Sequence, residues 1–228
     1  AALLLMGFLS QLGHLAHFVV RTAPDRRELE WLKAECEFDG CLLPAGGERT
    51  SQWVLLMVGR DPNALTAEFA DRVGRHHGIR PPAAAAPSVA CSWQFYGPHF
   101  RMSDLAEDLE ALRANPIPFD VYLIDECWDM HWGDWAGNEH WPDMKAAADL
   151  IRAAGFRPGL WTCPFLAKAD SRAAAERGDW LLRLNDGSPL LFRMDGWNYV
   201  FDPTYPGVCD HIEALYRRLK RDWGFTYH

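Results

Sequence analysis

The chain has 228 residues, of which 49% are hydrophobic, and it carries a formal net charge of -8 at pH 7. This length and composition allow a substantial core, in one large domain or two small ones. The acidic balance argues against nucleic acid as a partner, because phosphate binding requires a basic surface.

The first part of the chain, residues 1–60, is predicted to form β-strands. Its apolar opening is interrupted by Gln11, His14 and His17, and no basic region precedes it, which argues against a signal peptide or a membrane span. Because there is no initiator Met, we expect the numbering to begin inside a larger protein. The opening is typical of two short strands, the runs HFVVRT, LEWLKAECEF and SQWVLLMVG are predicted to be strands, and FDGCLL carries an Asp-Gly hairpin signal. We interpret this part as the C-terminal strands of a β-sandwich.

Residues 61–87 are predicted to form a connection between two domains. The run PNALTAEFADRVGRHHG predicts a helix, with Pro62 at its start and Gly78 after its end. The run RPPAAAAP that follows is typical of a semi-rigid linker.

From residue 88 to residue 228, predicted strands and helices alternate. The strands are SVACSWQF, FDVYLID and FRPGLWTCPF, and FTYH begins a fourth. The helices are MSDLAEDLEALRAN, capped by Ser103 or Asp104, then PDMKAAADLIRAAG and, after a long insertion, GVCDHIEALYRRLKRDWG. Right-handed βαβ units in series form a parallel sheet. The predicted α/β fold is therefore the N-terminal part of a (β/α)8 TIM barrel; a doubly wound sheet is the alternative, but no glycine-rich phosphate turn follows the strands.

Each predicted strand of the barrel ends in residues that a core would not select. Trp93 closes the first strand, Asp125 and Glu126 follow the second, and Trp161 ends the third. Since the carboxyl ends of parallel strands share one rim, these residues are expected to converge. Indole rings stack on the apolar face of a sugar, while carboxylates accept hydrogen bonds from its hydroxyls. The sequence therefore predicts a carbohydrate site.

Other roles remain possible for the same residue types. Trp31, Trp53, Trp180 and Trp223 are predicted to be packing residues, since indoles also fill cores. A carboxylate at a strand end can merely cap the next helix. Two adjacent carboxylates lie side by side and do not straddle a glycosidic bond, so they are better placed to bind substrate than to act as an acid/base pair.

A metal site is a weaker alternative. Four possible ligands lie within ten residues, His131, Asp134, Glu139 and His140, but no HExxH motif or helical ligand spacing connects them, and WAGN indicates a flexible loop. We predict no metal and no cofactor.

The cysteines do not form a recognisable framework. The chain has six, widely separated and without a CxxC motif, which argues against a disulfide scaffold. Cys127 and Cys163 are predicted to pack at the barrel rim. A reducing compartment is favoured, and the expected location is the cytoplasm.

Several motifs together resemble one enzyme family. ACSWQFY, DVYLIDECW, GDWAGNEHWPDMKAAADLIRAAGFRPGLWTCPF, DSRAAAERGDWLL and FDPTYPGV…WGFTYH are similar in order and spacing to the melibiase-type α-galactosidases of glycoside hydrolase family 36, with family 27 as relatives. The similarity extends over roughly residues 50–228, and the segment before it resembles the end of that family's N-terminal β-sandwich.

The resemblance implies six substrate-binding residues: Trp93, Asp125, Glu126, Asp134, Trp135 and Trp161. The acidic pair after the second strand would bind the 4- and 6-hydroxyls of galactose, and the tryptophans of the first and third strand motifs would line the pocket. The Asp-Trp pair of the GDW motif would lie on the adjoining rim.

Two departures from the family pattern bear on the activity. The family usually has Asp-Asp where this chain has Asp125-Glu126, which puts galactose specificity in question. The family's nucleophile belongs to a Lys-x-Asp motif after the start of the fourth strand, and its general acid follows the sixth. Both catalytic carboxylates are therefore expected beyond His228.

The resemblance predicts a retaining hydrolase of terminal α-galactosyl residues, with α-galactoside oligosaccharides as substrates and no cofactor, nucleic acid or membrane as partner. Three alternatives remain open: a transglycosylase of the raffinose-synthase kind, a hydrolase of another α-linked sugar, and a sugar-binding homologue without catalysis. A homo-oligomeric parent also stays open.

Overall fold

The chain divides into two compact units, residues 1–85 and residues 86–228. The structure is a computed structural model, and it describes residues 2–10, 13–25, 28–80, 82–115 and 117–228. The strands of the first unit are antiparallel, whereas parallel strands alternate with helices in the second.

The first unit contains antiparallel strand pairs and a helix. Strands β1 and β4 pair with Phe8 opposite Val54, and strands β2 and β3 pair with Leu15 opposite Glu37. The bounds are β1 Leu3–Phe8, β2 Leu15–Thr22, β3 Leu29–Glu37, β4 Val54–Gly59 and α1 Pro62–His76. The strands and the helix predicted from the apolar runs are confirmed, while their assignment to a β-sandwich stays a prediction.

The Asp39-Gly40 turn forms, but the hairpin predicted around it does not. Both residues have positive φ, 48° and 70°, as such a turn requires. The following residues 41–53 contain no strand. A second turn, closed by a 2.8 Å hydrogen bond from the Gly47 backbone N–H to the Pro44 carbonyl oxygen, interrupts the extended chain there.

The prediction that Trp31 and Trp53 are packing residues is wrong. Their side chains are 36% and 64% exposed. The buried hydrophobic residues of this unit, among those described, are Phe8, Met57 and Leu65. A core of this size does not enclose either indole.

The second unit is built on a parallel sheet in the order β5-β6-β7. Cys91 of β5 lies opposite Leu123 of β6, and Ile124 of β6 lies opposite Leu160 of β7. The last residues continue the sheet, because the Leu160 backbone N–H donates to the Tyr227 carbonyl oxygen at 3.0 Å in a parallel bridge. The bounds are β5 Val89–Cys91, β6 Val121–Ile124 and β7 Arg157–Leu160. The fold is that of part of a TIM barrel, as predicted.

The barrel strands are shorter than the apolar runs suggested. The first was expected over residues 88–95, but it ends at Cys91, and Trp93 begins the short helix α2, Trp93–Tyr96. The side chain of Ser92 explains the change of direction, because its Oγ accepts a 3.0 Å hydrogen bond from the Asp125 backbone N–H and ties the two strand ends together.

The helices occupy the predicted positions with small shifts at their ends. Their bounds are α3 Met102–Ala114, α4 Met144–Ala153 and α6 Pro206–Arg218. Helix α3 begins before Ser103 and Asp104, so neither is its N-cap. The Asp104 carboxylate instead accepts from the Arg101 backbone N–H at 3.0 Å. Gly155, with φ of 97°, terminates α4 as predicted.

The long insertion between β7 and α6 contains regular structure that the sequence analysis did not predict. Its strands form an antiparallel sheet in the order β8-β10-β9, and a short helix follows β8. The bounds are β8 Leu166–Lys168, α5 Arg172–Glu176, β9 Leu191–Arg193 and β10 Trp197–Val200. The turn between β9 and β10 consists of residues 194–196, in which Asp195 and Gly196 have φ of 45° and 97°.

The core of the second unit lies between the parallel sheet and its helices. Helix α4 contributes Ala147 and Ile151, which are fully buried and one helical turn apart. Large rings fill most of the remaining space: Phe100, Tyr122, Trp128, Trp132, Trp135, Trp141 and Phe225. Trp180 is buried in a smaller core, and Trp223 packs against the main one, so both are packing residues as predicted.

Two further observations concern the chain as a whole. Among the described residues, no helix has both the length and the apolar character needed to cross a bilayer. All six cysteines are free. The cytoplasmic location stays a prediction.

Candidate functional site

The carboxyl ends of β5, β6 and β7 form one edge of the parallel sheet, which we call the rim. Trp93 follows β5, Asp125 and Glu126 follow β6, and Trp161 follows β7. The strand ends are joined by hydrogen bonds, since the Trp161 backbone N–H donates to the Ile124 carbonyl oxygen at 2.8 Å. The sheet topology therefore brings these residues, distant in sequence, to the same edge.

The carboxylate of Asp125 is held in place from two sides. Its Oδ2 accepts from the Cys91 thiol at 3.1 Å, and its Oδ1 accepts from the Glu126 backbone N–H at 2.7 Å. Burial and the hydrogen bond to Asp125 raise the pKa of Cys91 to about 11, so the thiol keeps its proton. A carboxylate offers about four acceptor positions, so two protein donors orient the group without exhausting its capacity.

Glu126 lies in a different electrostatic environment. Burial, followed by the negative charges of Asp195 and Asp129, raises its pKa to about 7, and Lys168 opposes the shift. Near neutral pH this carboxyl is close to its titration midpoint. It can therefore accept a hydrogen bond when ionised and donate one when protonated.

Asp129 is a second perturbed carboxyl beside the rim. Burial raises its pKa to about 6, and the positive charges of Lys168 and His131 limit the rise. Clusters of carboxyls with raised pKa values are typical of functional sites. The sequence analysis noted acids in this stretch but did not single out Asp129.

Lys168 is a site residue that the sequence analysis missed. Its Nζ lies 2.7 Å from Asp195 Oδ2 and 4.5 Å from the centroid of the Trp132 ring. It also donates to the Asp195 backbone carbonyl oxygen. Lys168 comes from β8, in the insertion for which no elements were predicted. The Asp-Gly pair in MDGW is a hairpin signal that could have located its partner.

Trp161 is fixed by a layer of buried indoles. Its ring lies 5.5 Å from that of Trp132 and 6.4 Å from that of Trp135, between ring centroids. The Trp128 indole N–H donates to the Trp161 carbonyl oxygen at 3.0 Å. Trp161 itself is partly exposed, so it can offer a surface to a ligand while its neighbours hold it still.

Two of the predicted site residues, Trp135 and the half-buried Asp134, make contacts with other protein groups. Trp135 was expected on the adjoining rim, but its side chain is fully buried and packs behind Trp161. The Asp134 carboxylate accepts from the backbone N–H groups of Arg172 at 3.1 Å and Ala173 at 2.8 Å, at the start of α5. Both residues therefore support surrounding elements.

Trp93, another predicted site residue, is 40% exposed on α2.

The residues considered as metal ligands are not gathered in one place. His131 faces Asp170, with 3.8 Å between Nε2 and Oδ2, while His140 faces Glu139 and Asp134 is engaged at α5. Within the described ranges, no group of three or more histidines, cysteines and acids is arranged to hold a metal ion.

Residues 79–227 match the family model described as "Glycosyl hydrolases family 31 TIM-barrel domain". This match covers the second unit and corresponds to the barrel identified from the strand order. The matching model is thus one of family 31, whereas the sequence motifs resemble family 36, to which some of the similar solved structures belong.

Among solved structures, the chain is similar to an α-galactosidase from Thermus thermophilus in complex with p-nitrophenyl α-D-galactopyranoside. The TM-score is 0.69 and the identity 28%, with 99% of this chain and 42% of that chain covered. The same enzyme in complex with stachyose has a TM-score of 0.68 and 27% identity, with 98% of this chain and 43% of that chain covered. A family 36 α-galactosidase from Geobacillus stearothermophilus has a TM-score of 0.62 and 17% identity, with 86% of this chain and 27% of that chain covered. At this identity the similarity shows the fold alone. The chain thus spans about two fifths of the length of the Thermus structure.

Proposed function

Because the chain belongs to the glycosyl hydrolases whose TIM-barrel domain is described under family 31, we propose that it forms the sugar-binding part of an α-galactosidase. The proposed reaction is the retaining hydrolysis of terminal α-galactosyl residues of oligosaccharides. The Thermus enzyme with a bound α-galactoside, 28% identical over nearly the whole chain, supports this substrate class.

The observation that carries the proposal is the pair Asp125 and Glu126 at the rim, where Trp161 follows the neighbouring strand. Burial raises the pKa of Glu126 to about 7, so its carboxyl is partly protonated near neutral pH. Asp125 is positioned to accept hydrogen bonds from sugar hydroxyls, and Glu126 can accept or donate. The rings of Trp161 and Trp93, which follow the strands on either side of β6, would contact the apolar face of the sugar.

We assign the acidic pair to binding and not to bond cleavage. A retaining glycosidase needs two carboxyls about 5 Å apart on opposite sides of the glycosidic bond. Asp125 and Glu126 are consecutive and emerge from the same strand end, so they approach a sugar from one side. In the proposed mechanism other carboxyls serve as nucleophile and acid/base, and this pair orients the galactosyl unit toward them.

Glutamate at position 126 favours a second candidate. The family that the motifs resemble usually has aspartate there, and the longer side chain reaches further into the site. A hydrolase of another α-linked sugar is therefore the alternative function.

Both candidates can be compared by titrating the chain with galactose and with glucose while following tryptophan fluorescence. For the α-galactosidase, galactose binds more tightly than glucose, and Asp125→Asn weakens galactose binding at least tenfold, as expected for loss of a charged hydrogen-bond acceptor. Asp210→Asn, an exposed change on α6, is the matched control and leaves binding unchanged.

Glu126→Asp separates the two candidates further. If galactose is the ligand, restoring the shorter carboxylate maintains or improves its binding. Tighter glucose binding in the wild type, lost in Glu126→Asp, would support the other α-linked sugar. Failure of both sugars to bind would overturn the proposal.

A further inference from the structure

A cavity lies between the loop after β6, the short helix α5 and helix α6. It encloses about 230 Å³, several times the volume that one water molecule occupies. The acidic pair Asp125 and Glu126 does not line it, so it is separate from the candidate sugar site. Its lining brings together three arginines, Arg172 and Arg177 from α5 and its C-cap and Arg218 from the end of α6.

The lining of the cavity carries one positive charge in excess. The three arginines face two acids, Asp134 and Glu176. The Asp134 carboxylate already accepts from two backbone N–H groups at the start of α5, and Glu176 Oε1 lies 3.9 Å from Arg172 Nε, a distance too long for a strong ion pair. His211 adds no charge near neutral pH, because burial and then the positive charge of Arg177 lower its pKa. The cavity therefore favours an anion.

Arg218 is a half-buried cation whose charge is not compensated by a carboxylate. Its Nη2 donates to the Trp135 carbonyl oxygen at 2.6 Å, and its guanidinium carbon lies 5.1 Å from the centroid of the Trp223 ring. Among the described residues, no carboxylate forms an ion pair with it. Burial lowers its pKa, and the negative charge of Asp222 offsets this only in part. Since a buried cation without a paired anion is costly, an anion that enters the cavity would be stabilised beside it.

Three buried nitrogen atoms in the walls of the cavity have no hydrogen-bond partner within the described part of the chain: Trp135 Nε1, His211 Nε2 and Arg218 Nε. Buried polar atoms are nearly always paired, so three around one cavity are unusual. Trp135 and Arg218 offer N–H donors. His211 is uncharged and uses its other ring nitrogen toward the Gly133 backbone, so its Nε2 offers an acceptor. Contact with a ligand requires a small rotation of the half-buried His211 and Arg218 side chains.

We propose that this cavity is a binding site for a small oxyanion, and that the ion is hydrogen phosphate. Guanidinium groups form paired hydrogen bonds with phosphate oxygens, and the hydroxyl of hydrogen phosphate can donate to an acceptor such as His211 Nε2. Arg218 is the main partner, while Arg172 and Arg177 add positive charge from the side of α5. The site is independent of the proposed function, because it requires no sugar at the rim.

The test is a calorimetric titration of the 228-residue chain with inorganic phosphate, at pH 7.5 in Tris chloride of constant ionic strength. The wild type is expected to show saturable binding at a single site. Arg218→Gln should weaken it at least tenfold, because charge-assisted hydrogen bonds are lost. Arg217→Gln is the matched control, since Arg217 is the next residue, is exposed and paired with Glu213, and does not line the cavity. This variant should bind phosphate within about twofold of the wild type.

A second variant and a second anion make the test independent of any folding defect in Arg218→Gln. Arg172 is exposed, so Arg172→Gln should leave the fold intact and weaken phosphate binding about threefold, since an exposed charge contributes less than a half-buried one. Sulfate, which has no hydroxyl to donate, should bind the wild type about tenfold more weakly than phosphate. Near-ultraviolet circular dichroism would verify that each variant remains folded.

Three results would overturn the proposal. The absence of saturable phosphate binding would show that the cavity does not hold the ion. Equal phosphate affinity in the wild type and Arg172→Gln, or equal losses in Arg218→Gln and Arg217→Gln, would place any bound phosphate elsewhere on the chain. Sulfate that binds as tightly as phosphate would exclude the hydroxyl contact to His211 and with it the choice of hydrogen phosphate.

Discussion

Burial is the main cause of the raised pKa of Glu126, and charges from the loop after β6 and from the insertion modify it. Asp129, in the loop after β6, and Asp195, in the β9–β10 turn, raise its pKa, while Lys168 of β8 lowers it. Lys168 and Asp195 also form an ion pair, so a change in either removes one influence on Glu126 and releases the other residue. The insertion thereby tunes a carboxyl of the rim.

Substitutions in the ion pair should move the pKa of Glu126 in opposite directions. We expect Lys168→Met to raise it above about 7, because a positive charge is lost, and Asp195→Asn to lower it, because a negative charge is lost. The measurement is a pH titration of the Glu126 side-chain carboxyl by carbon-13 nuclear magnetic resonance. Asp186→Asn, in an exposed turn of the insertion, is the control and should cause no shift. A shift of the Glu126 pKa in the same direction for both variants would contradict the opposite effects ascribed to Lys168 and Asp195.

The same carboxyl should make stability depend on pH. Its pKa is raised from 4.5 to about 7 in the folded chain, so between these values the folded state binds more protons than the unfolded state. The contribution of Glu126 to stability is therefore full at acidic pH and is lost as pH rises through about 7. Urea unfolding at pH 5 and pH 8 should show a smaller difference in Glu126→Gln than in the wild type.

At the scale of elements, the loop that follows β6 is ordered by its own hydrogen bonds. The sequence WAGN suggested flexibility, but the Asn138 side-chain amide donates to the carbonyl oxygens of Cys127 at 2.8 Å and Asp129 at 3.2 Å. Gly137 forms a bridge with Asp129 in the same loop. At Gly137, a Cβ atom would overlap the backbone carbonyl oxygen of Trp141.

Gly137→Ala should therefore destabilise the second unit. We expect a loss of about 2 kcal/mol, because the clash involves backbone that cannot rotate away. The control is Gly178→Ala, since a Cβ at Gly178 would meet no atom within 4 Å. That change should stay within about 0.5 kcal/mol of the wild type. Urea unfolding followed by tryptophan fluorescence measures the stability of both variants. Equal stability would show that the loop adjusts to the added methyl group without cost.

Elements with long apolar patterns could be predicted from the sequence, and short ones could not. Helices of ten or more residues and the central strand of the sheet carry a clear period or apolar run. In the insertion, strands of three or four residues are too short to show alternation. Local turn signals were ambiguous, because Asp39-Gly40 forms a turn without a hairpin and Asp195-Gly196 forms a complete one.

The site could be predicted only where topology alone determines position. Asp125, Glu126 and Trp161 follow strand ends, so the parallel sheet places them at the rim. Lys168 and Asp195 reach it through an antiparallel insertion whose path depends on tertiary packing. The burial of individual tryptophans also could not be predicted, because composition does not distinguish a supporting indole such as Trp135 from one that faces a ligand.

The whole molecule exposes more surface than its mass requires. Its accessible area is 15209 Å². Separate globular units of about 85 and 143 residues would together expose only about 12,500 Å². Large apolar side chains account for part of the excess, including Leu42, Trp53 and Phe95, which are 88%, 64% and 86% exposed. Surfaces of this kind are normally covered by further chain or by another copy.

The isolated 228-residue chain should consequently self-associate. Light scattering after size-exclusion chromatography is expected to give a mass above 25.9 kDa that rises with concentration. Moderate concentrations of urea, below the unfolding transition, should reduce the association because they weaken apolar contacts. A monodisperse monomer at every concentration would show that the exposed surfaces do not need a partner.

The hydrogen bond from the Cys91 thiol to Asp125 links the reactivity of this cysteine to the state of the carboxylate. With its pKa near 11, the Cys91 thiol forms little thiolate at neutral pH, and iodoacetamide should modify it much more slowly than the exposed Cys41 and Cys209. Asp125→Asn removes the negative charge that helps to keep the proton on sulfur. Faster alkylation of Cys91, read by peptide mass spectrometry, would then report on the state of the neighbouring carboxylate. Cys91 thus supplies a chemical reporter beside the Asp125 carboxylate.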